Sequence, residues 1–392
     1  MALSPLPLSY CTNVHAGRSV LEVEQGLDRY TVAVKAKFGA PLAAGLWLAR
    51  PVADELAQAP EVLRSFSDGL RRRGLTCHTL NAFPYGDFHS ERVKENVYLP
   101  DWSQSQRRAY TERCATLLTA LLPQDVNEGS ISTLPLGFKG FDHPPDFIDR
   151  CVEQLVGVAT FLADLRERTG KTVRLGIEPE PMCVLETTDE TIIFFRRLVA
   201  RAEDVGRGEA VREHVGMCYD VCHQAVEFED AAACVAAIDA AGVRINKIHI
   251  SCALQLDHPA TNAEGREALL RYVEPRYLHQ TIARTRGGDL VRHADLDENL
   301  IRRPPAEFLE ADCWRVHFHV PVDAERIGPL ATTRPELRKA IAAVAKLPYA
   351  PHLEVETYTW EVMPGRQSVE LSEALAREMI AARAMIDAAT AR

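Results

Sequence analysis

The chain has 392 residues, 46% of them hydrophobic and 26% charged, which supplies a sizeable core and excludes a disordered or collagen-like chain. A length of this order is compatible with one large α/β barrel as well as with several domains. Forty-five Lys plus Arg against 55 Asp plus Glu leave a formal charge of −10, which argues against counterion-release binding to nucleic acid or to an anionic membrane.

Short apolar runs at 8–14, 44–49, 76–83, 129–134, 173–179, 215–220, 245–251 and 352–357 read as strands. Helical periodicity occupies 146–168, 190–202, 231–241 and 335–345, and an Ala-rich amphipathic run fills 370–389. Strands alternating with helices predict a parallel sheet, and eight repeats predict a closed (β/α)8 TIM barrel forming one domain over 1–392. An open doubly wound sheet is the alternative, but no G-x-G-x-x-G and no P-loop follows any strand. The chain exceeds a barrel of about 250 residues by roughly 140. Two polar stretches, 85–125 and 252–312, are expected to hold that surplus as long insertions over the catalytic face. A further strand-like segment, 314–320, is either a ninth short strand or a sign that one of the eight is misassigned.

The ten cysteines are scattered rather than clustered, so a reducing, cytoplasmic setting with buried thiols is expected, Cys218 and Cys222 included. Residues 1–10 have no basic stretch leading into a long apolar one, and no apolar run of 18 residues occurs. Neither export nor membrane insertion is expected.

Polar residues gather at the ends of the strands. Leu175-Gly-Ile-Glu178-Pro-Glu180 puts two carboxylates two apart, on one face of a strand end. Asp220 closes the run 215–220, and His223 follows on the turn within reach of the same cation. Lys247-Ile-His249-Ile-Ser251 sets His249 at the same level, and His352-Leu-Glu354-Val-Glu356-Thr357 ends the last strand with another carboxylate pair. Singly, such residues commonly have structural roles. Together they offer mixed oxygen and nitrogen donors suited to Mn²⁺, Co²⁺, Zn²⁺ or Mg²⁺, and a cation would also relieve the repulsion among the acids.

His317 and His319 alternate onto one face and could either ligate a metal or line the pocket. Asn13, His15 and His89 fall at the mouth of the barrel as candidate substrate contacts. Lys94, Lys139 and Arg276 are candidates for receiving an anionic group, although lone basic residues on insertions are ordinarily solvated. The aromatic residues Phe83, Tyr85, Phe88, Tyr98 and Trp102 read as packing for a lid over 85–102.

The series Gly-Ile-Glu178-Pro, Asp220-x-x-His223, Lys-Ile-His249 and Leu-Glu-Val-Glu356-Thr resembles the metal-binding signature of the xylose isomerase-like TIM-barrel superfamily, over about 8–360. That superfamily includes sugar isomerases, ketose epimerases and the endonuclease IV group. Within it, Tyr10-Cys-Thr-Asn-Val-His15 and the segments 80–89, 93–102, 274–279 and 356–360 are similar to the metabolite traffic proteins called EboE, which implies a place in a small-metabolite biosynthetic cluster.

The resemblance implies Glu178, Asp220, His249 and Glu356 as metal ligands, with Glu178 and Glu356 also serving as the acid/base pair. The choice between Glu178 and Glu180 stays open, since Glu180 to Glu186 matches the family's spacing of the first motif; so does that between Glu354 and Glu356. His223 would touch substrate, or would bind a further metal in the endonuclease-like pattern, where His317 and His319 stand like an Asp-x-His pair. Gln255 occupies a place where the epimerases carry an Arg, so recognition of substrate hydroxyls should differ. The implied activity is a divalent-metal-dependent isomerase or epimerase acting on a sugar- or cyclitol-like polyol through an enediolate. The alternatives are a multi-metal phosphoesterase and a metabolite carrier without turnover. The expected partner is a small polyol or cyclitol, not nucleic acid or membrane, and a homo-oligomer is left open.

Overall fold

Strands covered on both faces need apolar side chains at nearly every position rather than every second one. The eight runs expected as strands are almost wholly buried, with polar positions kept for the barrel interior and mouth in Glu128–Thr133, Ile245–Ile250 and His352–Val355, and they pair as a closed parallel barrel. Seven come in close succession: β1 Ser9–Cys11, β2 Ala43–Trp47, β3 Thr79–Asn81, β4 Glu128–Thr133, β5 Thr172–Ile177, β6 Val215–Asp220 and β7 Ile245–Ile250. The computed structural model describes residues 3–365 and 368–391; Met1, Ala2, Arg366, Gln367 and Arg392, which the readings of 1–10 and 1–392 include, lie outside the described residues.

The helices Phe147–Thr169, Thr188–Asp204, Ala231–Ala240, Arg334–Val344 and Leu371–Thr390 lie within a few residues of the expected bounds. Thr187 starts one of them with a reciprocal capping box to Glu190, which satisfies first-turn amides. The expected insertion at 85–125 is corrected in part: Ser105–Leu121 is the barrel helix between β3 and β4. Only the stretch before it is added chain, and its second half is packed down. Trp102 and Tyr98 are fully buried, the Trp102 indole donates to Thr133 Oγ1 at 3.1 Å, and the Val93 and Lys94 amides both donate to the Arg276 carbonyl.

After β7 the chain leaves the barrel and builds a second, antiparallel sheet from β8 Leu254–Asp257, β9 Thr281–Arg284, β10 Leu290–His293, β11 Cys313–Val316, β12 Arg326–Ile327 and β13 Leu330–Thr332. Its order is β10-β9-β11-β8-β13-β12. The segment 314–320 thus begins as a ninth strand, and the insertion expected at 252–312 supplies three strands of that sheet together with short helices. The chain then returns to insert β14 His352–Val355 between β7 and β1, closing the barrel. Among the described residues, no helix is long and apolar enough to cross a membrane.

Glu378, fully buried on the closing helix, fastens the end of β14. Its carboxylate accepts from Thr357 Oγ1 at 2.6 Å, Trp360 Nε1 at 2.7 Å and the Val322 amide at 3.1 Å. Burial pushes this carboxyl up to about 7 against the pull of those donors. The folded chain therefore holds a proton that the unfolded chain releases above about 4.5. That contribution is fully present below pH 4.5 and is lost as pH rises through 7. Glu378→Gln should flatten this part of the stability profile in urea melts taken from pH 5 to 8. Glu378→Ala, which orphans three buried donors, should cost about 2–4 kcal/mol.

Candidate metal centre

Four adjacent strands, β5, β6, β7 and β14, deliver the polar cluster, and because they run parallel their C-terminal ends share one mouth of the barrel. His249 ends at its centre. Its Nδ1 lies 3.0 Å from Glu178 Oε1, 2.9 Å from Glu356 Oε2 and 3.4 Å from Asp220 Oδ2. Ligand atoms of Glu178, Asp220, His249 and Glu356 all fall within 4.8 Å of one another, and all four residues are buried. Among the described residues, Glu178 Oε2 and Asp220 Oδ2 have no hydrogen-bond partner. Buried carboxylate oxygens without a donor are costly, and a divalent cation is the group whose charge and donor preference fit this set.

The cluster is held from behind. Asp220 Oδ1 accepts from the His223 amide at 3.0 Å and from Ser251 Oγ at 2.8 Å, capping the helix Val221–Val226. Glu356 Oε1 accepts from Asn13 Nδ2 and Asn81 Nδ2, each at 2.8 Å. His249 Nε2 faces Glu354 Oε2 at 3.2 Å, and Glu354 is paired at 2.5 Å with the fully buried Lys247. With Nε2–H donating to Glu354, Nδ1 is left free as a ligand, an arrangement common to metal-binding histidines. Glu354 therefore sits one layer below the donor set while Glu356 joins it. Gly45 makes room: a Cβ there would fall 1.4 Å from Glu354 Oε1.

The electrostatics separate the acids. Burial pushes Glu178 up to about 7, with Glu356 and Asp220 adding to it and His249 opposing. Against its own burial, Glu356 is held at about 2 by the His249 imidazole. Glu180 is pushed up to about 8 by burial and the Glu178 charge, although Tyr98 Oη donates to it at 2.7 Å.

Beside this set lie three imidazoles with a common pattern. His223 Nδ1 is 3.0 Å from the Pro179 carbonyl, His317 Nδ1 is 2.7 Å from Gln280 Oε1, and His319 Nδ1 is 2.9 Å from the Glu356 carbonyl. Each Nδ1–H is thereby committed, leaving the three Nε2 lone pairs. His319 Nε2 and His223 Nε2 are 3.5 Å apart, and His317 Nε2 has no hydrogen-bond partner among the described residues. Burial takes His223 down to about 4 and His317 well below the usual range. Asp220 with His223 and His319, and Glu180 with His223 and His317, also form groups close enough to share an ion.

A cavity of about 50 Å³ opens above both groups, lined among others by Asn13, Asn81, Glu178, Glu180, His223, His317 and Glu356. Other expected contacts fall elsewhere. Gln255 is not at the cavity: its amide is tied to Asp257 at 2.8 Å and Arg315 at 2.9 Å within the second sheet. His15 lies behind the wall, 2.9 Å from Tyr10 Oη and stacked on Tyr30. His89 braces the site from outside, its Nε2 2.8 Å from the Asn13 carbonyl. Lys94, by contrast, lines the cavity and is buried rather than solvated, while Lys139 pairs with Glu186 and Glu190, and Arg276 with Glu361. Asn81 and Gln280 are site residues that the sequence reading did not single out, and Tyr98, expected only as lid packing, hydrogen-bonds Glu180. Asn81 ends β3 and was open to the same strand-end rule that found the acids; Tyr98 and Gln280 come from added chain with no periodic signal.

No family model and no curated protein matches the chain. Solved structures similar to it include xylose isomerase-like TIM-barrel proteins and an AP endonuclease of family 2. A xylose isomerase-like TIM-barrel protein from Mycobacterium smegmatis, in complex with magnesium, is 12% identical, covers 100% of this chain and 99% of its own, and has a TM-score of 0.48. A xylose isomerase domain protein from Planctomyces limnophilus is 13% identical over 96% of this chain and 98% of its own, with a TM-score of 0.47. The 3-keto-D-glucoside 4-epimerase of E. coli, in its apo form, is 13% identical over 62% of this chain and 78% of its own, with a TM-score of 0.37.

Proposed function

We propose that this chain is a divalent-metal-dependent isomerase or epimerase of a polyol- or cyclitol-like small molecule. The observation that carries the reading is the four-residue donor set, with its two unpartnered carboxylate oxygens, at the floor of a cavity. Glu178, Asp220, His249 and Glu356 would hold the cation. When bound, it would supply Lewis-acid polarisation of a carbonyl and its neighbouring hydroxyl. Glu178 and Glu356 flank the same space and exchange a carbon-bound proton, one removing it and the other returning it to the opposite face or the adjacent carbon. Asn13 and Asn81 orient Glu356 for that exchange, and Glu354 with Lys247 orients His249. The finer placement, in an Ebo-type biosynthetic pathway of the cytoplasm, rests on the sequence segments and the ten unpaired cysteines alone.

The three Nε2 lone pairs favour a second reading, a phosphoesterase with two or more ions per chain. Metal analysis of protein purified without chelator separates the two: about one ion per chain is expected, and two or three would favour the phosphoesterase. Proton exchange tests the first reading directly. Ketohexoses and inososes incubated in D₂O with the Mn²⁺-loaded protein should be screened by mass, and the true substrate should gain deuterium at the reacting carbon. Turnover without exchange would point to a hydride shift and remove the acid/base roles of Glu178 and Glu356.

A further inference from the structure

The cavity has two kinds of wall. Its floor carries the acids and imidazoles, whereas its upper wall is made by Phe83, Phe88, Val93, Val97, Tyr277 and Leu278. The aromatic part is preassembled: Phe88, Tyr277 and Tyr358 stand 4.9–5.3 Å apart, centroid to centroid. Of the three lining tyrosines, Tyr98 and Tyr277 have their hydroxyls engaged. Tyr98 Oη donates to Glu180 at 2.7 Å, and Tyr277 Oη to the Phe88 carbonyl at 3.2 Å, so these tyrosines present ring rather than hydroxyl.

Charge points the same way. Lys94 is the lining residue with a permanent positive charge. Its ammonium has three donors, and it already meets the Glu274 carbonyl at 3.0 Å, the Tyr277 carbonyl at 2.7 Å and Asp295 Oδ2 at 2.6 Å. It has no donor left for a phosphate or a carboxylate, and the other charged lining residues are themselves acids.

We infer that the substrate carries, beyond the oxygens handled at the floor, an uncharged apolar group, aliphatic or aromatic, that seats against this upper wall, and that it carries no phosphate. The inference rests on the metal-dependent reading of the same site. A preformed apolar wall rewards such a group with little ordering cost.

Hydroxamates test it, because acetohydroxamate and benzohydroxamate chelate through the same pair of oxygens and differ in the apolar part. Mn²⁺ is titrated first, by calorimetry. Absence of Mn²⁺ uptake at that stage would remove the metal-dependent reading, a failure distinct from any in the second stage. With Mn²⁺ bound, benzohydroxamate should bind at least tenfold tighter than acetohydroxamate, and 4-carboxybenzohydroxamate should lose that advantage. Phe88→Ala should bring the ratio towards one; Val97→Ser, at a half-exposed position, should reduce it even if the first variant folds poorly. Equal affinities for the two parent compounds, full retention of affinity by the carboxylated one, or no hydroxamate binding to the Mn²⁺-loaded chain would each overturn the inference.

Discussion

Lys247→Met should destabilise the chain by about 3–5 kcal/mol, read as a lowered urea midpoint. Lys247 lies on β7 and is fully buried inside the barrel, where its ammonium pairs with Glu354 at 2.5 Å and also reaches the Leu80 carbonyl and Ser132 Oγ, each at 3.2 Å. Methionine fills the space but leaves the Glu354 carboxylate buried without its main counter-charge. Removing one partner of a buried pair is far more costly than the pair's net worth. Lys247, with His249, holds the Glu354 carboxyl below the usual carboxylate range although burial alone would raise it. The double variant Lys247→Met/Glu354→Gln should recover most of the loss, because the stranded charge is gone. Arg150→Ala, which breaks an exposed pair with Asp146, should cost less than about 0.5 kcal/mol. Equal effects of Lys247→Met and Arg150→Ala would refute this account of the barrel interior.

Asp220→Asn should abolish the response to metal while leaving the fold in place. The Asn side-chain oxygen can still accept from the His223 amide and Ser251 Oγ, so the helix cap survives; what changes is the charge and the unpartnered Oδ2. Outer partners of metal ligands are worth 10–100-fold in affinity, so a ligand itself should be worth about 100-fold or more. At a Mn²⁺ concentration 100 times its Kd, the wild-type chain should gain about 2.7 kcal/mol of stability. The variant should gain little, with a metal-free midpoint within about 1 kcal/mol of wild type. A variant that Mn²⁺ stabilises as much as wild type would remove Asp220 from the donor set.

The barrel and its acidic mouth were legible for a physical reason. Strands buried on both faces carry dense apolar runs, and in a parallel barrel the residue ending each run necessarily lies at the common mouth. Glu178, Asp220, His249 and Glu356 obey that rule. Alternation also hinted at the layer beneath, since Lys247 and Glu354 lie two residues before His249 and Glu356, but a run of sequence does not reveal which acid is neutralised by which base. The second sheet was opaque. Residues 254–257 alternate apolar and polar, Leu-Gln-Leu-Asp, but over only four residues, and 290–293 show neither a dense apolar run nor a clean alternation. The helix Ser105–Leu121 begins with polar and basic residues, including Arg107, which is buried against the Ala82 and Phe83 carbonyls. A buried guanidinium on a helix mimics a solvated face in sequence. Gln255 failed differently: its distance along the chain from His249 matched a pattern, but the chain there had already turned away into the second sheet.

The excursion between β7 and β14 also sets the order in which the site can come into being. Doubling a loop costs only about 0.6 kcal/mol of closure entropy, so a sheet-sized excursion at this point is thermodynamically cheap. In time it is less so, because β14 must find neighbours remote on both sides: Glu354 lies 105 positions from His249 and 345 from Ser9. Contacts of such separation form late relative to local ones. Glu178, Asp220 and His249 arrive on consecutive neighbouring strands, whereas Glu356 arrives with the stave that completes the ring. A partly zipped barrel thus has three of the four donors and nowhere to place the last.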